Sequence, residues 1–193
     1  EEINAEPLSS PGSYLAGLHA ERQGKAGPAG DFLLHALAAN PENADLLSRA
    51  FLLMVEEGRF DEAKALAERA HNINSEATLP ILTLAVDDVV EGDLHSAEVK
   101  LHSLPEEGFN KFLKPLMLSW VLSGQGLELE AEAALTPLSE NNEFAVLRNL
   151  HLGMIHDVSG NEEKAMMNYE NIPLSGSSSF FRPVEIVGNF FER

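Results

Sequence analysis

The chain of 193 residues has no cysteine. That absence excludes a disulfide framework, a thiolate metal site and a cysteine nucleophile. Basic residues are scarce: thirteen Lys and Arg stand against thirty-one Asp and Glu, a formal net charge of −18. Neutralising a phosphate backbone takes clustered Lys and Arg, which the chain lacks, so nucleic acid is not expected as a partner. No apolar run reaches the roughly 18 residues of a membrane-spanning helix. The local signatures of chemistry are missing as well. The run Gly24-Lys25-Ala26-Gly27-Pro28-Ala29-Gly30 has no Gly-Lys-Ser/Thr ending and no strand before it, so it is not a phosphate loop. His95, Glu98 and His102 share one helix face but read as solvated polar residues, because zinc sites draw three or four converging ligands. His151 and His156 lie about 140° apart around a helix and cannot grip one ion together. No Ser/His/Asp set stands out, and carboxylate pairs such as Glu56 and Glu57 are adjacent rather than facing. The chain reads as non-catalytic, with no metal and no cofactor.

What is present is a period. Gly24, Gly58, Gly92, Gly126 and Gly160 stand 34 residues apart without a slip. Five residues after each comes an alanine: Ala29, Ala63, Ala97, Ala131 and Ala165. Nine after come Leu33, Ala67, Leu101, Leu135 and Tyr169, and twelve after come Ala36, Ala70, Leu104, Leu138 and Ile172. That spacing is one face of a helix of period 3.6. Seven before each glycine sit Gly17, Phe51, Ala85, Ser119 and Gly153, small in four cases of five, where two helices can approach closely. Each unit therefore reads as a helix A, a tight turn at the glycine and a helix B carrying the alanine. Glycine suits the turn because a helix C-terminus often needs a residue at positive φ. Ala97 and Ala131 are expected to be buried where helix B meets helix A.

These features resemble the tetratricopeptide repeat. The fullest match is Glu56-Glu57-Gly58-Arg59-Phe60-Asp61-Glu62-Ala63 with Ala67 and Ala70, and Asn40-Pro41 matches the family's repeat boundary. The chain departs from the pattern at later boundaries, where Ser75, Phe109, Glu143 and Ser177 replace proline, and at Phe51, which is not small. The resemblance implies an all-α fold, a right-handed α-α superhelix of five antiparallel helix pairs plus a C-terminal helix. The expected organisation is a flexible segment 1–10, repeats at 11–43, 44–77, 78–111, 112–145 and 146–179, and a C-terminal helix 180–193 after a Pro/Gly/Ser loop at 171–179. That helix reads either as a cap or as the start of a further repeat. The polar start of the chain, and the likeness to bacterial exported tetratricopeptide proteins, give a periplasmic location as the expectation.

Helix A carries more apolar surface than packing on helix B requires. In the third repeat Leu79, Leu82, Val86 and Val89 form a second stripe; in the fourth, Leu113, Leu116, Met117 and Trp120; in the fifth, Leu147, Leu150 and Met154. In a tetratricopeptide superhelix such positions line the concave face. The resemblance thus implies an apolar groove whose candidate partner-binding residues are Leu82, Val86, Leu116, Met117, Trp120, Leu150 and Met154. Tryptophan anchors and pliable methionines recur at peptide-binding surfaces. Toward the N-terminus Glu21, Arg22, Asp45, Ser48 and Arg49 make the same face polar. The family's carboxylate clamp uses Lys and Asn on successive A helices; here those places hold Tyr14, Leu18, Ser48, Leu52 and Leu82, so that mode of capture is not expected. The expected function is a non-catalytic scaffold that binds a protein or peptide segment. Self-association through the same surface or the C-terminal helix, and service as the regulatory arm of a larger protein, are the alternatives.

Overall fold

A computed structural model describes residues 10–140, 142–172 and 181–192. The expected flexible segment 1–10 falls outside the described residues except for Ser10, and the expected loop 171–179 falls outside them from residue 173 onward. The described residues form eleven α-helices and no strand. They divide into two compact units, one ending at Glu91 and one beginning at Gly92.

The first unit contains α1 (Ser10–Arg22), α2 (Ala26–Ala39), α3 (Ala44–Glu56), α4 (Phe60–Ile73) and α5 (Thr78–Glu91), each packed on the next. The second contains α6 (Leu94–His102), α7 (Asn110–Gly124), α8 (Glu128–Ala134), a 3-10 turn (Thr136–Glu140), α9 (Asn142–Val158), α10 (Glu162–Glu170) and α11 (Phe181–Phe191).

The turns explain why helices pair. Gly24, Gly58, Gly92, Gly126 and Gly160 have φ of 68°, 70°, 83°, 80° and 76°. These are left-handed conformations that a Cβ would strain. In four of these turns the residue after the glycine donates its N–H to the carbonyl of the residue four before the glycine. The bonds are Lys25 to Ala20 at 3.0 Å, Arg59 to Met54 at 2.9 Å, Leu127 to Leu122 at 2.9 Å and Asn161 to His156 at 2.8 Å. This is the six-to-one closure of a Schellman cap, which satisfies a helix-end carbonyl and reverses the chain. The alanine five residues after each glycine lies in the first turns of the next helix, and all five are 0 % exposed.

Further along each pair, bulk is shared between two positions. A Cβ added to Gly17 would lie 2.5 Å from Leu33 Cδ2, and one added to Gly153 would lie 2.4 Å from Tyr169 Cε1. Where the first position holds Phe51, the second holds Ala67, and both are buried in one core. The bulky Phe51 is thus the complement of a small partner rather than a defect in the repeat.

The two units differ in their B helices. Those of the first, α2 and α4, run 14 residues each. Those of the second, α6, α8 and α10, run 9, 7 and 9. Pro105 and Pro137 follow α6 and α8 closely, and proline both lacks the helical N–H and disfavours helix in the residue before it. Where the helix is long, the buried position twelve after the glycine is Ala36 or Ala70; where it stops early, Leu104, Leu138 or Ile172 reaches into the core instead. Lys114 of α7 replaces part of the missing turn after α6. Its ammonium donates to the carbonyls of His102 and Leu104, both at 3.1 Å, and to Glu106 Oε1 at 3.2 Å.

Polar ties cross from repeat to repeat within each unit: Arg49 to Glu21, Arg59 to Asp31, Lys64 to Asp87 and Glu91, and Lys164 to Glu132. At the end of the second unit α11 lays Val187 and Phe190 on Leu150, Tyr169 and Ile172, with the Phe190 and Tyr169 rings 5.0 Å apart and edge-on. Val184 and Phe191 of α11 are exposed.

Two glycine substitutions separate these effects in urea unfolding. Gly126→Ala, strained at φ 80°, is expected to cost about 1–3 kcal/mol. Gly153→Ala is expected to cost about 1–3 kcal/mol by overpacking against Tyr169, and adding Tyr169→Leu to it should recover part of the loss. The backbone strain at Gly126 should respond to no change at Leu135.

Candidate functional site

The outward face of the A helices is built by register. In the first unit Leu79, Val86 and Val89 of α5 are 52 %, 49 % and 41 % exposed, with Leu82 half-buried between them. On α3, Leu52 is exposed six residues before its glycine, as Val86 is before its own. Leu47, Ser48, Phe51, Leu52, Ile73 and Leu79 help line a cavity of about 410 Å³ between α3, the end of α4 and the start of α5. Leu52, Phe51 and Ile73 were not among the candidates, because Asp45, Ser48 and Arg49 make the same stretch look polar. The available signal was the register of Leu52.

In the second unit Trp120 of α7 is 36 % exposed. Its indole Nε1 donates to Nδ1 of His151 on α9 at 2.8 Å, and the two rings meet edge-on at 6.1 Å. Met117 is half-buried beside it in the same helix. Leu116 packs against the cluster of Leu135, Leu138, Leu152 and Ile155. Met154 lies partly buried against the core beneath α11, and Leu150 is 8 % exposed inside that core. Leu116 and Leu150, ten residues before their glycines, therefore pack against the interior, Leu82 at the same place is half-buried, and Val86 and Trp120, six before theirs, are exposed. The structure brings Trp120 and Met117 together on α7 and puts Leu150 into the packing behind.

Two histidines of α9 are held below their ordinary pKa. Burial alone lowers that of His151. Burial also dominates at His156, against the opposing pull of the Glu132 carboxylate 3.6 Å from its Nε2. The Nδ1 of His156 is buried with no hydrogen-bond partner.

The other sequence features have structural explanations. Glu98 accepts from Gln125 Nε2 at 3.0 Å and lies 3.7 Å from His102 Nε2, tying α6 to α7. Among the described residues no group of three or more His, Asp or Glu is placed to hold a metal ion. No described helix is long and apolar enough to cross a membrane. In the glycine-rich run, Gly24 forms the turn and Gly30 faces the Met54 methyl, which a Cβ would approach to 2.3 Å. A further cavity of about 570 Å³ opens where α6 and α8 stop short, between Lys111, Phe112, Lys114, Pro115 and Pro137.

Similar architectures occur in solved structures. A tetratricopeptide repeat protein from Parabacteroides merdae superposes with a TM-score of 0.76 at 15 % identity, covering 95 % of this chain and 72 % of that one. The fold is that of tetratricopeptide repeat proteins. A thermophilic protein of the same repeat class from Thermus thermophilus gives a TM-score of 0.63 at 14 % identity over 96 % of this chain and 100 % of that one. MamA gives 0.66 at 12 % identity over 92 % and 97 %. No family model and no curated protein matches the sequence. The all-α helical-solenoid class thus rests on shape and on the 34-residue register together.

The buried histidines make stability depend on pH. A histidine with a lowered native pKa leaves the unfolded chain to bind the proton first, so its contribution is complete above the unfolded value near 6.5 and is lost as pH falls toward the native value. Urea midpoints should therefore be higher at about pH 7.5 than at about pH 5.5. His156→Gln should shrink that difference.

Proposed function

We propose that the chain is a non-catalytic interaction module that holds a segment of a partner protein on the apolar outward face of its A helices. Trp120 carries the reading: a large aromatic, partly exposed on α7 and fixed by a hydrogen bond rather than sunk in the core. Rigid aromatic anchors of this kind concentrate binding energy at interfaces. Met117 and Met154 supply adaptable apolar contact beside it. Leu116 and Leu150 support the same face from within. In the first unit, Leu82 and Val86, with Leu52 and Leu79, form a separate apolar patch over the α3–α5 cavity. The fold favours this class of function, since helical repeats present extended surfaces for partners. No catalytic constellation in the sequence competes with it.

Self-association is the second reading, and the exposed Val184 and Phe191 of α11 favour it. Light scattering on a gel-filtered sample distinguishes the two: a dimer that dissociates on Phe191→Asp supports self-association, and a monomer leaves the surfaces free for another protein.

The binding reading is tested by panning a random displayed peptide library on the immobilised protein. Binding peptides should blue-shift Trp120 emission, and Trp120→Ala should weaken them by about 2 kcal/mol, roughly thirtyfold. The same substitution should leave the urea midpoint nearly unchanged. An unfolded Trp120→Ala protein would make the indole a core residue, and one that binds as well as the parent would show it is no anchor; either result removes the reading's support.

A further inference from the structure

The contact between Trp120 and His151 contains chemistry that an apolar patch does not need. An indole N–H can only donate a hydrogen bond. Because it donates to His151 Nδ1 at 2.8 Å, that nitrogen bears a lone pair, and the neutral ring carries its hydrogen on Nε2. The second proton of an imidazolium would have to enter at Nδ1. Protonation and the tryptophan bond therefore compete for one lone pair and cannot coexist.

We propose that His151 is a proton-operated latch on Trp120: neutral, it pins the indole to α9, and protonated, it lets the indole go. The latch itself rests only on the observed bond; its consequence for binding rests on the reading of Trp120 as the anchor. In the released state the N–H must find water, the ring is no longer held edge-on to the imidazole, and the surface offered to a partner changes.

The surroundings make the latch respond on the acid side. Among the described side chains, the charged groups of the elements packed on α9 are engaged elsewhere or turned to water. Glu132 of α8 and Lys164 of α10 pair with each other and face His156. Lys114 of α7 is bound to the α6 carbonyls, and Lys111 lies nearer the start of the same helix. Glu162, Glu163 and Glu170 of α10 and Glu185 of α11 are exposed. Arg148, on α9 itself, donates to Asn149. Among the described side chains no carboxylate pairs with the ring, and burial holds its pKa down. Release accordingly falls below the ordinary histidine value of 6.5.

Trp120 is the single tryptophan of the chain, so its emission reports the latch without any partner. Emission is followed from about pH 8 to about pH 5, with far-UV circular dichroism alongside. The expected result is a one-proton transition with a midpoint below 6.5 and no loss of helix. In His151→Gln the amide oxygen can still accept the indole hydrogen but does not titrate, so emission should stay flat at the alkaline level. In His151→Phe it should stay flat without the bond. Peptides selected at neutral pH should bind the parent about tenfold more weakly below the midpoint, and His151→Gln should abolish that dependence. A transition that persists in His151→Gln, one that coincides with loss of helix, or no transition at all would overturn the latch. If no peptide binds, the anchor reading fails while the emission titration still decides the latch.

Discussion

The constraint on which the rest depends is a backbone one: every thirty-fourth residue must take a left-handed conformation that only glycine adopts cheaply. The turn glycine lets the next N–H close on a carbonyl five residues back, and that closure ends helix A in a defined direction. With the direction set, the alanine five residues on falls at the same place in the following helix each time, and a methyl there is fully buried in all five repeats.

Beyond the turn, the chain has more freedom and uses it differently in its two units. The long B helices α2 and α4 close their pairs with alanines, whereas the short α6, α8 and α10 leave the helix early and fill the space with Leu104, Leu138 and Ile172. Lys114 is the accompanying adjustment. Its three donors are spent on two carbonyls that a longer helix would have bonded itself and on one carboxylate that balances its charge. A buried ammonium is tolerable only when so completely satisfied.

The helices themselves were legible in the sequence because they follow from covalent spacing: those before the turn glycines begin and end within a few residues of where the register puts them. The orientation of single side chains was less so. Leu150 belongs to the same apolar stripe as Met154 by pattern, yet Val187 and Phe190 of α11 close over it. That contact joins segments far apart in the chain, which periodicity cannot register. Likewise Leu52 was hidden by charged neighbours although it shares the register of Val86 and Trp120. The Trp120–His151 bond spans 31 residues, three short of a full repeat, so it joins unlike positions of successive helices and leaves no repeating trace.

The shared bulk within each pair has a consequence for how such a chain can change by recombination. Gly153 and Tyr169, like Gly17 and Leu33 or Phe51 and Ala67, lie on either side of one turn inside one repeat. A duplication or deletion of a whole repeat carries both members together and preserves the fit. A crossover at the turn would instead join the helix of Phe51 to that of Tyr169, two large side chains in a space made for one. A breakpoint at a glycine is therefore closed to the second repeat, whose large and small positions are reversed relative to the others, while a breakpoint at a repeat boundary carries each fitted pair across intact.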